Sequence, residues 1–149
     1  MDDLVAFLRD QLDEDEQIAR TVEDRSAPWD GQWVADGDSA VRTHNGHVLF
    51  YGHGGPLKPG LAEHVVRHDP ARVLRETGAK RQIVEDYATT ARLRDEAAAR
   101  IKAAGDSPGA EDLDVWDRAQ REAGILEGPV RLLATVYADH PGYREEWRP

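Results

Sequence analysis

Gly31-Gln32-Trp33-Val34-Ala35-Asp36-Gly37-Asp38-Ser39-Ala40-Val41-Arg42-Thr43-His44-Asn45-Gly46-His47-Val48-Leu49-Phe50-Tyr51-Gly52-His53 is the stretch whose reading decides the fold. Asp36-Gly37 and Asn45-Gly46 are the residue pairs of two-residue hairpin turns, whose backbone takes positive φ. They predict a three-stranded antiparallel meander with strands near 32–35, 39–44 and 47–51. With Asn45-Gly46 as the whole loop, His44 faces His47, Thr43 faces Val48 and Val41 faces Phe50. One face then carries Val41, Thr43, Val48 and Phe50, and the other Arg42, His44, His47, Leu49 and Tyr51. So small a sheet does not stand alone, and the first face is expected to pack on helices.

Outward from the meander the periodicity is helical. Leu4, Phe7, Leu8, Leu12, Ala19 and Val22 recur at spacings of three, four and seven and predict a helix over 3–23, with Asp2 and Asp3 at the positive end of its dipole. Ser26 and Pro28 break it within Asp24–Trp29. After the sheet, 52–60 is a Gly/Pro-rich loop read as a flexible connection, and a short helix covers about 61–68. Asp69-Pro70 opens the next helix: Asp69 can cap free N–H groups, and the fixed φ of proline suits the first helical position. That helix runs through Val73, Leu74, Val84, Tyr87, Ala91 and Ala97 toward Ile101, with Gly78 and Thr89-Thr90 as weak points. Gly105–Gly109 is a turn. A helix over 110–123 carries Leu113, Trp116, Ala119 and Ala123 on one stripe and forms a helical hairpin with 79–104. An exposed apolar face there would argue for a dimer. Gly128-Pro129 restarts a last helix with Val130, Leu133, Ala134 and Tyr137, and Tyr143 and Trp147 dock the tail onto the body. The expectation is one α+β domain over 1–149, a small meander packed against a mainly helical body.

Composition narrows the chemistry. The 149 residues include no cysteine, which excludes disulfides, Cys-type zinc sites and thiol catalysis, and fits a cytoplasmic protein. No signal peptide and no membrane-length apolar run is read in the chain. The net charge of −10 is uneven. Residues 1–24 hold nine acids and two arginines, a net −7, whereas 64–81 hold five basic residues and two acids, a net +3. The acidic arm reads as a solvated helix, or alternatively as a mimic of nucleic acid acting on a basic partner. An acidic protein does not point to duplex DNA as its own target.

No complete catalytic constellation emerges. His53-Gly54-Gly55 resembles an esterase oxyanion loop, but Ser26, Ser39 and Ser107 are the only serines and none stands in Gly-x-Ser-x-Gly. No P-loop or dinucleotide fingerprint occurs. His64 and His68, at i and i+4, have metal-ligand spacing but lack the internal glutamate of a metalloprotease, so capping and hydrogen bonding at a helix end is the competing reading. His44, His47 and His53 read as polar turn flanks. Arg67, Arg72, Arg75, Lys80 and Arg81 would grip a phosphate or a carboxylate-rich partner, or pair with Glu63, Asp69, Glu76 and Glu85 as exposed salt bridges. Trp29, Trp33, Trp116 and Trp147 read as core or core-edge residues.

His64-Val65-Val66-Arg67-His68-Asp69-Pro70-Ala71-Arg72-Val73-Leu74-Arg75-Glu76 with Ala79-Lys80-Arg81, the opening Met1–Leu8, and the close from Arg131–Ala134 through Tyr137–Pro149 resemble a family of small uncharacterised proteins of actinobacteria and their phages. The resemblance implies no activity. It implies a zinc-like Cys/His-rich stretch in many members between the middle and C-terminal phrases, which this cysteine-free chain replaces with its helical hairpin. The expectation is therefore an accessory protein that binds another protein, with no cofactor and no membrane or nucleic-acid partner. Its candidate surface is His64, His68, Asp69, Arg72 and Arg75 with Asp139, His140, Tyr143, Arg144 and Trp147. The alternative enzyme, a metal-dependent hydrolase, would require His64, His68, Asp69 and His140 to converge.

Overall fold

A computed structural model describes residues 1–22 and 30–149. The helix break expected at Asp24–Trp29 lies outside the described residues, as does Glu23. Four α-helices and a three-stranded antiparallel sheet make the chain an α+β protein among the described residues: α1 (Asp2–Val22), β1 (Trp33–Asp36), β2 (Ala40–Thr43), β3 (Val48–Tyr51), α2 (Leu61–Arg67), α3 (Pro70–Ala104) and α4 (Ala110–Ala134), followed by two short 3-10 turns at Thr135–Tyr137 and Glu145–Trp147. The residues group into two compact units, Leu12–Gly78 and Met1–Gln11 with Ala79–Pro149.

The Leu12–Gly78 unit contains the sheet, in the order β1-β2-β3. Asp36 pairs with Ala40, so the first turn has three residues instead of two, closed by the Ser39 N–H donating to the Asp36 carbonyl at 3.2 Å. The second turn is also longer by one. The Thr43 N–H donates to His47 O at 2.8 Å, and Gly46 takes the left-handed position at φ 93. Val41 faces Phe50 as expected, but Arg42 faces Val48, because the ladder shifts by one between Val41 and Arg42. A one-residue shift turns a side chain to the opposite face. Val48, expected on the packed face, is accordingly 42 % exposed, whereas Val41 and Thr43 are fully buried. The hydroxyl that Thr43 carries into this core is satisfied by the His47 N–H at 3.0 Å and by Asn45 Oδ1.

Helix α2 packs on β1 and β2 through the buried Ala62. The Gly/Pro-rich loop ahead of it is tied, not free: the Gly52 N–H donates to Ser39 O at 3.2 Å and the Leu57 N–H to Asp38 O at 2.5 Å. Both bonds reach the first hairpin turn, so backbone pairing, invisible in composition, holds the loop.

In the other unit the buried apolar side chains are Leu4, Val5, Phe7 and Leu8 of α1, Val84, Tyr87 and Ala97 of α3, Ala119, Ala123, Val130 and Ala134 of α4, and Trp147. Arg9 grips Glu85 with two parallel hydrogen bonds of 2.7 and 2.5 Å. That pairing holds the Glu85 carboxyl below the usual carboxylate range. The Tyr87 hydroxyl is buried with no hydrogen-bond partner among the described residues, and burial first, then the nearby Glu127 charge, pushes its pKa up.

Helix α3 continues through both of its expected weak points. The Thr90 hydroxyl folds back onto Asp86 O at 3.0 Å, and Gln82–Asp86 and Arg92–Glu96 bond at i, i+4. A mid-helix glycine costs about 1 kcal/mol, too little to end a helix so supported. The hairpin to α4 turns at Gly105 (φ 62) and is closed by Arg100 Nε to Asp112 Oδ1 at 2.6 Å.

The restart expected at Gly128-Pro129 does not occur; α4 runs through Pro129 to Ala134. A proline disfavours the helical region for the residue before it by clashing with that residue's N–H and Cβ, and Gly128, with no Cβ, escapes part of that clash. The expected stripe also divides. Ala119 and Ala123 are buried, but Leu113 and Trp116 are exposed.

Candidate functional site

The first candidate segment is the junction between α2 and α3 in the Leu12–Gly78 unit. His68 ends α2, its N–H donating to Val65 O at 3.0 Å, and its ring Nδ1 lies 2.9 Å from the carbonyl of His64. A carbonyl only accepts, so Nδ1 carries the proton and Nε2 is left bare in the neutral ring. The His64 and His68 rings meet at a tilt of 37°, with centroids 4.7 Å apart.

Asp69 is the N-cap of α3. Its Oδ1 accepts the Arg72 N–H at 2.7 Å and its Oδ2 accepts the Trp33 N–H at 3.4 Å, while the Ala71 N–H reaches Gly31 O at 3.0 Å. One carboxylate thus caps the helix and fastens it to the start of β1. Asp30 plays a similar part at the same end of the β1–β2 pair: its carboxylate accepts N–H groups from Gln32, His44 and Asn45 at 3.2, 3.2 and 3.1 Å.

The arginines of this segment divide. Arg72 Nε bonds Glu76 Oε1 at 2.5 Å, one turn on. Arg67 and Arg75 are exposed and have no hydrogen-bonding or ionic partner among the described residues. Of the carboxylates expected to pair with the cluster, Asp69 is committed to backbone N–H groups, Glu76 to Arg72 and Glu85 to Arg9, whereas Glu63 is exposed and has no partner among the described residues.

The second segment, Asp139–Trp147, belongs to the other unit and is a clasp on Phe7. The chain turns tightly around the His140 ring. The Gly142 N–H donates to His140 Nδ1 at 3.0 Å, which leaves the proton of the neutral ring on Nε2, and the Tyr143 N–H donates to His140 O at 2.9 Å. A Cβ on residue 142 would stand 3.1 Å from His140 Nδ1 and 3.5 Å from the Phe7 ring, which is why glycine fits there. Phe7 then receives His140 at 5.5 Å, Tyr143 edge-on at 6.5 Å and Trp147 at 4.9 Å between centroids. Trp147 is 5 % exposed. The Arg144 guanidinium lies 5.4 Å from the Trp147 ring centre and bonds Asp3 Oδ2 at 2.8 Å, and Arg131 holds the Glu146 carbonyl at 2.8 Å. Asp139 is exposed and has no partner among the described residues.

The ten candidate residues therefore fall into two groups in two units, five at the helix junction and five in the clasp. Among the described residues no three His, Cys, Asp or Glu side chains gather as metal ligands, so the hydrolase reading of His64, His68, Asp69 and His140 finds no ligand set. Part of the acidic arm is engaged: Asp3 binds Arg144, Glu16 binds Arg20, and Asp13 and Asp15 also have interactions, whereas the side chains of Asp2, Asp10 and Glu14 have none among the described residues. Sequence reasoning missed the exposed Ile125, Leu132 and Val136 on α4 and the turn after it. Their spacing of seven and four was the available signal, on the side opposite Ala123, Val130 and Ala134.

No helix among the described residues is long and apolar enough to cross a membrane. No curated protein and no solved structure matches the chain. A family model does match, over residues 1–149, and by that full-length match the chain belongs to DUF6221, a family of unknown function.

Proposed function

We propose that this is a non-enzymatic accessory protein that docks an acidic segment of a protein partner on the α2–α3 junction. The observation that carries the reading is the state of Arg67 and Arg75, exposed and without a partner among the described residues, in a stretch of net +3 within a chain of net −10. Arginine presents a planar fork of donors matched to carboxylates, and a local basic patch on an acidic protein selects both the partner and its orientation. His64, His68, Asp69 and Arg72 support the patch by holding the end of α2 and the start of α3. The resemblance of the middle and C-terminal phrases supports an origin in an actinobacterium or its phage, and the cysteine-free chain is compatible with the cytoplasm.

The test compares affinity capture by the native chain and by Arg67→Glu/Arg75→Glu from a host extract. The reading expects one stoichiometric protein retained by the native chain and lost with the reversed charges, at unchanged melting temperature. Equal retention by both refutes it.

A further inference from the structure

Helix α4 has two apolar faces, and the structure buries only one. Ala119, Ala123, Val130 and Ala134 are buried, whereas Ile125, Leu132 and Val136 are 72, 59 and 64 % exposed. With about 3.6 residues per turn, positions 118, 125, 129, 132 and 136 fall on one stripe, opposite the buried alanines. The backbone stays in the right-handed helical region through Thr135 (φ −65, ψ −19) and Ala138 (φ −60, ψ −24), so Asp139 continues the line. The stripe is therefore an apolar centre with Arg118 at one end and Asp139 at the other, both exposed and neither with a partner among the described residues.

We propose that this stripe is where a second copy of the chain docks, antiparallel, about a twofold axis through the Gly128–Pro129 bond. That axis sets Ile125 of one copy against Leu132 of the other and Arg118 against Asp139, twice each. It places Arg121 against Val136 and Glu122 against Thr135, so no like charges oppose each other. Gly128 and Pro129 meet at the axis, where Gly128 has open space above it and lets the backbones approach. Closed twofold pairing requires a surface complementary to itself, and a helix with apolar residues symmetric about its middle and opposite charges at its ends meets that requirement. A single helix pair is a small interface, so the association is weak and concentration-dependent. It is independent of the Arg67 and Arg75 surface.

Sedimentation equilibrium of the full chain, from micromolar to millimolar concentration, tests the inference. The native chain is expected to move from its 16.6 kDa monomer toward twice that mass. Leu132→Glu should remain monomeric, and Arg118→Asp should weaken association about tenfold, because the twofold axis turns both exposed charge pairs repulsive at once. Arg118→Asp with Asp139→Arg should restore it, because the swap rebuilds the same two pairs. A native chain that is monomeric throughout overturns the proposal and leaves the stripe to a different partner. So does a dimer that is indifferent to Leu132→Glu, or one that the double swap fails to restore.

Discussion

Replacing Trp147 with alanine should open the C-terminal clasp. The side chain is 5 % exposed and its ring centre lies 4.9 Å from that of Phe7. A buried tryptophan removes roughly 150–250 Å² from water, which at about 25 cal/mol per Å² corresponds to about 4–6 kcal/mol. That figure refers to an extended chain and is an upper bound; large aromatic-to-alanine changes in cores cost about 3–5 kcal/mol. The other interactions at the ring are smaller. Arg144 over the indole contributes about 0.5–1 kcal/mol at an exposed site. Its ion pair with Asp3 is exposed on both sides and contributes about 0–1 kcal/mol. Ring burial therefore decides the outcome. Urea unfolding should show a loss of about 3–5 kcal/mol for Trp147→Ala and no more than about 2 kcal/mol for Arg144→Ala. Trypsin should cleave after Arg144 faster in the first variant. A loss below about 1 kcal/mol for Trp147→Ala, with unchanged cleavage, would refute the clasp as a structural element.

Asp69→Ala should cost about 1–2 kcal/mol in urea unfolding, because it removes the cap on Arg72 and the bond to Trp33 together, whereas Asp69→Asn keeps an acceptor and costs less. Tyr87→Phe should leave stability at neutral pH unchanged or higher, since the buried hydroxyl gives up no hydrogen bond. The same variant carries a pH signature. Burial raises the Tyr87 pKa in the folded state, so the neutral phenol contributes stability that is fully present below the ordinary tyrosine value of about 10 and is lost as pH rises through the raised value. Urea midpoints followed into alkali should fall for the native chain and fall less for Tyr87→Phe. Glu85→Gln should act at the other end of the scale. The Arg9 bond depresses the Glu85 pKa, so its contribution is present above the ordinary carboxylate value and lost as pH falls through the lowered one, and the acid limb of the midpoint curve should flatten in the variant.

What was legible in the sequence was local. The Asp69-Pro70 start, the Gly105–Gly109 turn, the three strands and the apolar face of α1 each depend on residues within a turn or two of one another, and physical patterns of that range show in a single chain. The Val48 side was not legible, because one extra residue near Leu49 reverses the face and alternation alone does not show a bulge. Pro129 was not a boundary although proline usually is one; Gly128, with no Cβ, escapes part of the clash that ends a helix before proline. The candidate site shows the same division. Asp69 as a cap could be read from its neighbours. The reason for Asp139-His140-Pro141-Gly142-Tyr143-Arg144 could not, since the partner that explains it, Phe7, is at the opposite end of the chain. That Arg67 and Arg75 have no partner among the described residues was equally hidden, because it depends on Asp69, Glu76 and Glu85 turning to other groups and on Glu63 pairing with neither.

The central claim is that backbone groups hold the His68 and His140 rings, each in a single tautomer. Nitrogen-15 NMR of the imidazoles tests it most directly. In their neutral forms His68 should carry its proton on Nδ1, held by the His64 carbonyl, and His140 should carry its proton on Nε2, with Nδ1 taking the Gly142 N–H. Opposite, fixed tautomers at these two residues, unmoved by added zinc, are the predicted result. Rapidly averaging tautomers at both rings, or nitrogen shifts at His64, His68 and His140 that titrate together with the metal, would contradict the account.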